Sequence, residues 1–154
     1  TEVASAYMVS LFALGTIPTT LVCGWFGDRW NKSLLCGLGV FPTMAGMGLL
    51  MFEGSEFFLY ALPIGLAVTM GTVPLNWALI GDFFGRRSYA TLRGIMGIGN
   101  GLGTFLTPIY AGWLFDRTGS YSFALWTFLF IHLAASALFL ILYRRSARKR
   151  ELPF

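Results

Sequence analysis

The chain has 154 residues, of which 56% are apolar, 17% aromatic and only 12% charged. Soluble domains carry about a quarter charged residues, so the composition excludes a soluble domain and a disordered chain, and two cysteines exclude a disulfide scaffold. The net charge of +4 does not indicate a nucleic-acid partner, because the charges are clustered between long uncharged runs.

Five stretches of 20 to 26 residues contain no Asp, Glu, Lys or Arg. Since a helix rises about 1.5 Å per residue, each stretch can cross a hydrocarbon core roughly 30 Å thick. A β-barrel would need segments of about ten residues with alternating polarity, which these stretches lack. We therefore predict an all-α membrane protein with five transmembrane helices at about residues 4–26, 33–52, 57–82, 94–115 and 120–143, followed by a basic tail at 144–154.

The basic residues predict how the chain crosses the membrane, since Lys and Arg stay on the cytoplasmic side of short loops. With these five spans, ten of the eleven cations fall on one face: Arg29, Lys32, Arg86, Arg87, Arg93, Arg144, Arg145, Arg148, Lys149 and Arg150. The other face holds Arg117 with Glu2, Glu53, Glu56 and Asp116. We expect an integral, multi-pass protein of the plasma (inner) membrane with its amino terminus outside and its carboxyl terminus in the cytoplasm.

Spans one and four end in related sequences. Residues 24–29 read Gly-Trp-Phe-Gly-Asp-Arg and residues 112–117 read Gly-Trp-Leu-Phe-Asp-Arg, so both contain G-W-x-x-D-R. By the predicted threading the first copy faces the cytoplasm and the second faces outside. This arrangement predicts an inverted repeat, which is typical of secondary transporters. Gly112, Asp116 and Arg117 are then the counterparts of Gly24, Asp28 and Arg29.

The loop after span one has the chemistry of a gate. Gly24 would allow a helix end to pack closely, Asp28 would offer an anion to a neighbouring helix amino terminus, and Arg29 and Lys32 would pair with Asp28 or with lipid phosphate. Such contacts would bias two conformational states by a few kcal/mol. The alternative is a polar loop that only sets topology.

Gly24, Asp28, Arg29 and Lys32 match the signature loop of the major facilitator superfamily, approximately G-x-L-x-D-R-x-G-R-K. The chain also resembles the monocarboxylate and oxalate-formate antiporter branches, at residues 81–87, 90, 91, 94, 108 and 112–119. The resemblance implies the C-terminal half of a twelve-helix transporter, helices eight to twelve, whose partners are the N-terminal half, the lipid bilayer and a small-molecule substrate, an organic anion in these branches.

Uncharged polar residues are spaced to share helix faces. The sets are Thr16 and Thr19 on span one, Thr69, Thr72 and Asn76 on span three, and Asn100, Thr104 and Thr107 on span four. The resemblance implies that these three helices line a central cavity. The alternative is hydrogen bonding between helices or to the residue's own helix.

Glycine, proline and histidine add three local expectations. The pairs Gly97 with Gly101 and Gly99 with Gly103 form G-x-x-x-G patterns that predict close helix contact. Five prolines lie inside the spans and permit kinks: Pro18, Pro42, Pro63, Pro74 and Pro108. His132 is predicted to be a neutral residue bonded to a neighbouring helix, with proton coupling as the alternative.

Three functional classes compete. A membrane enzyme would need a nucleophile with a base or paired carboxylates at membrane depth, and none is present in the sequence. One histidine and two distant cysteines predict neither a metal site nor another cofactor. We therefore predict a fragment of a secondary active transporter that works by alternating access. A non-transporting structural or assembly subunit is the alternative.

Overall fold

The computed structural model describes residues 2–51 and 56–150, with side chains at 6–51 and 60–146. Glu53 and the last four residues of the basic tail lie outside this described part. The described residues form seven helices and no strand: α1 Glu2–Arg29, α2 Lys32–Leu38, α3 Phe41–Leu50, α4 Glu56–Gly71, α5 Val73–Phe84, α6 Tyr89–Thr118 and α7 Ser122–Arg150.

Three helices are continuous and long. α1, α6 and α7 contain 28, 30 and 29 residues, and at about 1.5 Å per residue each exceeds the roughly 30 Å of a hydrocarbon core. α6 begins five residues before its predicted start, and α7 continues through Arg150, so the first part of the basic tail is helical. Gly119 ends α6 in the left-handed conformation, with φ 68°, which glycine adopts without strain.

The second and third predicted spans are each broken into two helices. α2 ends at Leu38 and α3 begins at Phe41, while α4 ends at Gly71 and α5 begins at Val73. Each second helix has a proline in its first turn, Pro42 in α3 and Pro74 in α5. Proline lacks an N–H group and its ring clashes with the carbonyl four residues earlier, which favours an interruption just before it. The helices α1, α4 and α6 nevertheless continue through Pro18, Pro63 and Pro108.

Hydroxyl groups of other helices satisfy backbone carbonyls at the first break. Thr69 Oγ1 of α4 donates to Gly39 O at 2.7 Å, and Ser136 Oγ of α7 donates to Gly37 O at 2.9 Å. The two breaks also lie against each other, because a Cβ added at Gly39 would contact Thr72 Cγ2. The hydrocarbon core contains no water that could donate a hydrogen bond to an unpaired carbonyl. Hydrogen bonds from side chains therefore permit a helix to be interrupted inside a membrane.

Glycines bring α1, α3 and α4 close together. A Cβ at Gly46 would lie 2.8 Å from Leu62 Cα, and one at Gly71 would lie 2.8 Å from the Thr19 carbonyl carbon. Gly65 approaches the Pro42 carbonyl in the same way. These are backbone contacts that no side chain can relieve, so the contacts of α4 with α1 and α3 require glycine.

The G-x-x-x-G pairs of α6 do not make the predicted contact. No atom of the described residues lies within 4 Å of a Cβ built at Gly97, Gly99, Gly101 or Gly103, and residues 94–109 are all exposed. α6 meets the bundle through limited contacts with α5 and α7. The described residues therefore do not supply the predicted contact, because the spacing of glycines shows that close packing is possible and not which helix packs there.

Four helical stretches have the length and apolar composition of membrane spans: Ala6–Arg29, Lys32–Leu50, Tyr60–Phe84 and Ser122–Ser146. They correspond to α1, to the pairs α2–α3 and α4–α5, and to α7. α6 is long enough to cross, but its glycine-rich sequence is less apolar than these four. The predicted count of five therefore depends on α6.

Candidate functional site

A polar cavity of about 480 Å³ lies at the carboxyl end of α1. The residues of the predicted gating loop line one side of this cavity. The ends of two other helices line the rest, with Asp82 and Phe83 from α5 and Ser146 from α7. The ends of α1, α5 and α7 therefore meet at one face of the bundle, as the predicted threading requires.

An ion pair crosses this cavity. Lys32 Nζ at the start of α2 lies 2.7 Å from Asp82 Oδ2 near the end of α5. The two side chains are 27% and 54% exposed, so solvent weakens the attraction and the pair is worth at most about 1 kcal/mol. Lys32 was expected to pair with Asp28 or with lipid phosphate, and its partner in the structure is Asp82. Sequence reasoning missed Asp82, although opposite charges at the ends of adjacent spans could have indicated it.

Other residues take over two of the roles predicted for the loop. In the described part of the chain no atom lies within 4 Å of a Cβ at Gly24, whereas Gly27 is buried against Leu75 of α5. Asp28 is exposed, and it forms no hydrogen bond or ion pair with the described residues. The amino terminus of α2 is instead capped by Asn31, whose side-chain oxygen accepts from the N–H groups of Ser33 and Leu34.

The two copies of the repeated motif share a contact. The Arg29 guanidinium lies 3.8 Å from the centre of the Trp25 ring, and the Arg117 guanidinium lies 4.4 Å from the centre of the Trp113 ring. Each is a cation–π interaction between residues one helical turn apart, at the carboxyl end of a long helix. Gly112 has no atom within 4 Å of an added Cβ.

A second cavity, of about 850 Å³, lies between α5, α6 and α7 and is partly open. Three of the predicted lining residues meet here, Asn76 from α5 with Asn100 and Thr104 from α6. Most of the remaining wall is aromatic or apolar, formed by Met70, Val73, Trp77, Leu79, Ile80, Phe83, Phe84, Met96, Phe139 and Leu142. Pockets that bind small molecules have this character, with volumes of about 300–1,000 Å³ and a few polar groups.

The polar edge of this cavity has unused hydrogen-bonding capacity. Asn76 Oδ1 is buried and has no hydrogen-bond partner among the described residues. A buried acceptor without a partner costs about 1–3 kcal/mol. Thr104 Oγ1 donates its proton to Asn100 O at 2.9 Å, so the hydroxyl oxygen can only accept. The Asn76 oxygen has less than 1 Å² of accessible surface, so a solute in the cavity does not reach it, whereas the exposed Thr104 oxygen is open to a donor.

The other five predicted lining residues lie outside both cavities. Thr16 and Thr107 donate to carbonyls of their own helices, Ala13 O and Gly103 O. Thr19 Oγ1 lies 2.8 Å from Gly15 O of its own helix and 2.9 Å from Ala67 O of α4, and it can donate to either carbonyl. Their place in a transport cavity stays a prediction.

Thr69 and Thr72 lie at the contact between the two broken spans. Thr69 Oγ1 lies 2.6 Å from Thr43 Oγ1 in addition to its bond with Gly39 O, and Thr72, which is 4% exposed, donates to Thr69 O. Among the described residues, the Thr69 bonds match the interhelical alternative considered for the threonines, and the Thr72 bond matches the alternative of a bond to a nearby carbonyl of the same span.

His132 and the cysteines do not form a chemical centre with other groups. His132 Nδ1 lies 2.8 Å from Phe128 O, one turn earlier in α7, so the ring donates to its own helix. Cys36 is buried with Leu75 and Leu79, and Cys23 packs against them. In the described part of the chain, no group of three His, Cys, Asp or Glu residues could hold a metal ion.

The apolar helices, their breaks and the two cavities define a multi-pass helical membrane protein. The family model of the Major Facilitator Superfamily matches residues 1–153. The chain therefore belongs to this superfamily, which is a family of membrane transporters of small solutes and not of enzymes. Searches of curated proteins and of solved structures gave no match.

Proposed function

We propose that this chain forms helices eight to twelve of a secondary active transporter that moves a small solute by alternating access. The observation that carries the proposal is the cavity between α5, α6 and α7, where Asn76, Asn100 and Thr104 meet on an otherwise apolar wall. Superfamily membership supports a transport role for this cavity. The N-terminal half of the transporter is the expected partner. Within the superfamily, the chain resembles the monocarboxylate and oxalate-formate antiporter branches.

The repeated motif supports inverted symmetry. Arg29 stacks on Trp25 and Arg117 stacks on Trp113, so the last turns of α1 and α6 contain the same contact. With five spans, α1 and α6 run in opposite directions, and the two contacts lie on opposite membrane faces. Two related helix sets of opposite direction are what allow inward-open and outward-open packings of similar energy.

The polar cavity supports a gate at the cytoplasmic face. Lys32 and Asp82 connect the loop after α1 to the end of α5, and Asp28 and Arg29 line the same cavity. An ion pair that holds helix ends together stabilises the state in which that face is closed. Its strength of up to about 1 kcal/mol is enough to shift a nearly balanced two-state equilibrium.

Thiol labelling of the full-length gene product tests alternating access without knowledge of the substrate. Cys23, Cys36 and any other cysteine of the full-length protein are first replaced by alanine. Asn100→Cys is then introduced as a single cysteine and treated with a membrane-impermeant thiol reagent. Right-side-out and inside-out vesicles are compared. We expect labelling from both sides, because a transport cavity opens to each side in turn. Ser88→Cys and Ser120→Cys are the controls, expected to react only from the cytoplasmic and only from the outer side.

Labelling of Asn100→Cys from one side alone, or from neither, would contradict alternating access at this cavity and favour a structural or assembly subunit. If Ser88→Cys reacted only from outside and Ser120→Cys only from the cytoplasm, the orientation would be reversed while the cavity result would stand.

A further inference from the structure

We infer that the basic tail after α7 docks on the polar cavity at the carboxyl end of α1, through an ionic contact of Lys149 and Arg150 with Asp28. The occupant of the cavity is then a segment of this chain, and the contact does not depend on transport. Three features of the described residues support it: the lining of the cavity, the anion that the cavity leaves unpaired, and the helical register of α7.

The end of α7 lies in the wall of this cavity. Ser146 lines the cavity together with residues 27–33 of the loop after α1. α7 also contacts α2, which begins at Lys32 within this loop. The turn of α7 that follows Ser146 therefore starts beside the loop, and the basic tail needs no long connection to reach it.

One anion of the cavity is available for a cation from the tail. Lys32 forms its ion pair with Asp82. The Arg29 guanidinium stacks on Trp25 and lies 3.5 Å from Trp25 O. Asp28 lines the cavity and is exposed, and it has no ionic partner among the described residues. Since the other three charges are engaged, a cation that enters the cavity is attracted most strongly to Asp28.

The register of α7 places two cations on the face that carries Ser146. The helix continues through Arg150, and residues three and four positions apart share one face of a helix. Lys149 and Arg150 follow Ser146 at these two spacings, about 4.5–6 Å further along the helix axis. Arg148, two positions after Ser146, falls on the opposite face. The side of α7 nearest the cavity therefore has two positive charges just beyond it.

The membrane surface is the competing partner, because basic residues after a span are attracted to anionic headgroups. That attraction depends on the charge of the tail and on the lipid. It depends neither on Asp28 nor on which face of α7 has the cations. Substitutions in the loop and on the two faces of α7 therefore distinguish docking on the cavity from attraction to lipid.

A nitroxide label beyond the two cations tests the contact in the full-length protein. The native cysteines are replaced by alanine, and Leu152→Cys is labelled in nanodiscs of phosphatidylcholine. Electron paramagnetic resonance then gives the ratio of immobile to mobile label. We expect Asp28→Asn to lower this ratio by up to about fivefold, as the loss of one exposed ion pair predicts. Salt at about 1 M should have the same effect, because it screens charges beyond about 3 Å.

Two double variants remove the same charge from α7 and differ only in the face they change. Lys149→Gln with Arg150→Gln should lower the ratio as Asp28→Asn does. Arg145→Gln with Arg148→Gln should leave the ratio unchanged, because these residues do not follow Ser146 at a spacing of three or four.

A charge exchange tests the pairing directly. Asp28→Arg alone should lower the ratio further than Asp28→Asn, since it replaces attraction by repulsion. The combination of Asp28→Arg with Arg150→Asp should restore much of the ratio. Restoration requires the two positions to be neighbours, which a general effect of tail charge does not.

Equal ratios in the two double variants, or a ratio that does not respond to Asp28→Asn, would overturn the inference. Immobile label that appears only when phosphatidylglycerol is added, and that Asp28→Asn leaves unchanged, would assign the tail to the membrane surface and would also overturn it. The measurement does not use transport or the labelling of Asn100→Cys. Failure of the tail contact and failure of alternating access are therefore separate results.

Discussion

Single hydroxyl groups decide whether a broken helix can exist inside this bundle. Gly39 O and Gly37 O lie at the break between α2 and α3, and they accept hydrogen bonds from Thr69 and Ser136. Ser136 is 1% exposed, so water does not compete for that bond. Pro42 has no N–H group to donate to Leu38 O, and the two hydroxyl groups bind the carbonyls on either side of Leu38.

Thr69→Val should therefore destabilise the protein by about 0.6–1.7 kcal/mol, the range measured for interhelical hydrogen bonds in membranes. Valine has nearly the same shape, so the loss comes from Gly39 O and from Thr43, whose hydroxyl bonds to Thr69. Thermal unfolding of the full-length protein in detergent measures the change. Thr16→Val is the matched control, since Thr16 bonds only within α1, and an equal loss in both variants would contradict the assignment.

The sequence predicts which threonines share a helix face, but not their partners. Periodicity places Thr69, Thr72 and Asn76 on one side of the third span. In the structure Thr69 and Thr72 lie together at the contact between the two interrupted spans. Thr69 in α4 bonds to Gly39 O, while Asn76 in α5 lines the cavity. Residues on one predicted face therefore have different partners at different depths, which periodicity does not reveal.

At the scale of helices, close approach depends on glycines with no obvious pattern. Gly46 and Gly65 bring α3 and α4 into backbone contact, while the regularly spaced glycines of α6 contact no other helix in the described residues. Spacing alone therefore did not indicate which glycines contact another helix among the described residues. What separates the two groups is the residue opposite, which only the three-dimensional arrangement supplies.

Gly46→Ala and Gly48→Ala form a matched pair within α3. The added methyl at position 46 would lie 2.8 Å from Leu62 Cα and 3.0 Å from Ala61 O, whereas position 48 has no atom of the described residues within 4 Å. We expect Gly46→Ala to lower stability by about 1–3 kcal/mol through overpacking. Gly48→Ala should leave the melting temperature unchanged or slightly raised. Equal melting temperatures for the two variants would show that α3 and α4 do not approach as described.

On the scale of the whole molecule, sequence reasoning predicted the class of fold more fully than the site. Charge-free runs predicted helices of membrane length, and the loop motif predicted the superfamily to which the chain belongs. The inverted repeat and the fifth span stay predictions. The ion pair was missed because residues 50 positions apart, Lys32 and Asp82, are brought together only when three helix ends meet.

The ion pair is expected to act on the balance of states more than on stability. Asp82→Asn should raise labelling of Asn100→Cys from the cytoplasmic side by up to about fivefold, because a pair worth at most about 1 kcal/mol no longer holds that face closed. The melting temperature should change little. The exchanged pair Lys32→Asp with Asp82→Lys should restore the original ratio.

Asp28→Asn is the comparison for this measurement, since Asp28 lies in the same loop and has no ionic partner among the described residues. A larger shift with Asp28→Asn than with Asp82→Asn would assign the gate to Asp28. No shift with Asp82→Asn, or no restoration by the exchanged pair, would show that the contact between α2 and α5 does not control access.

The contact between Gly39 and Thr72 has a mechanical consequence. Both interrupted spans lose helical continuity at the same depth, with α3 and α4 packed together on one side of that level and α2 and α5 on the other. A proline that follows each interruption removes one backbone hydrogen bond there, which permits bending at this level. We expect the pair α3 and α4 to tilt as a rigid unit relative to the pair α2 and α5, with the hinge at this level, while the helices on both sides stay intact.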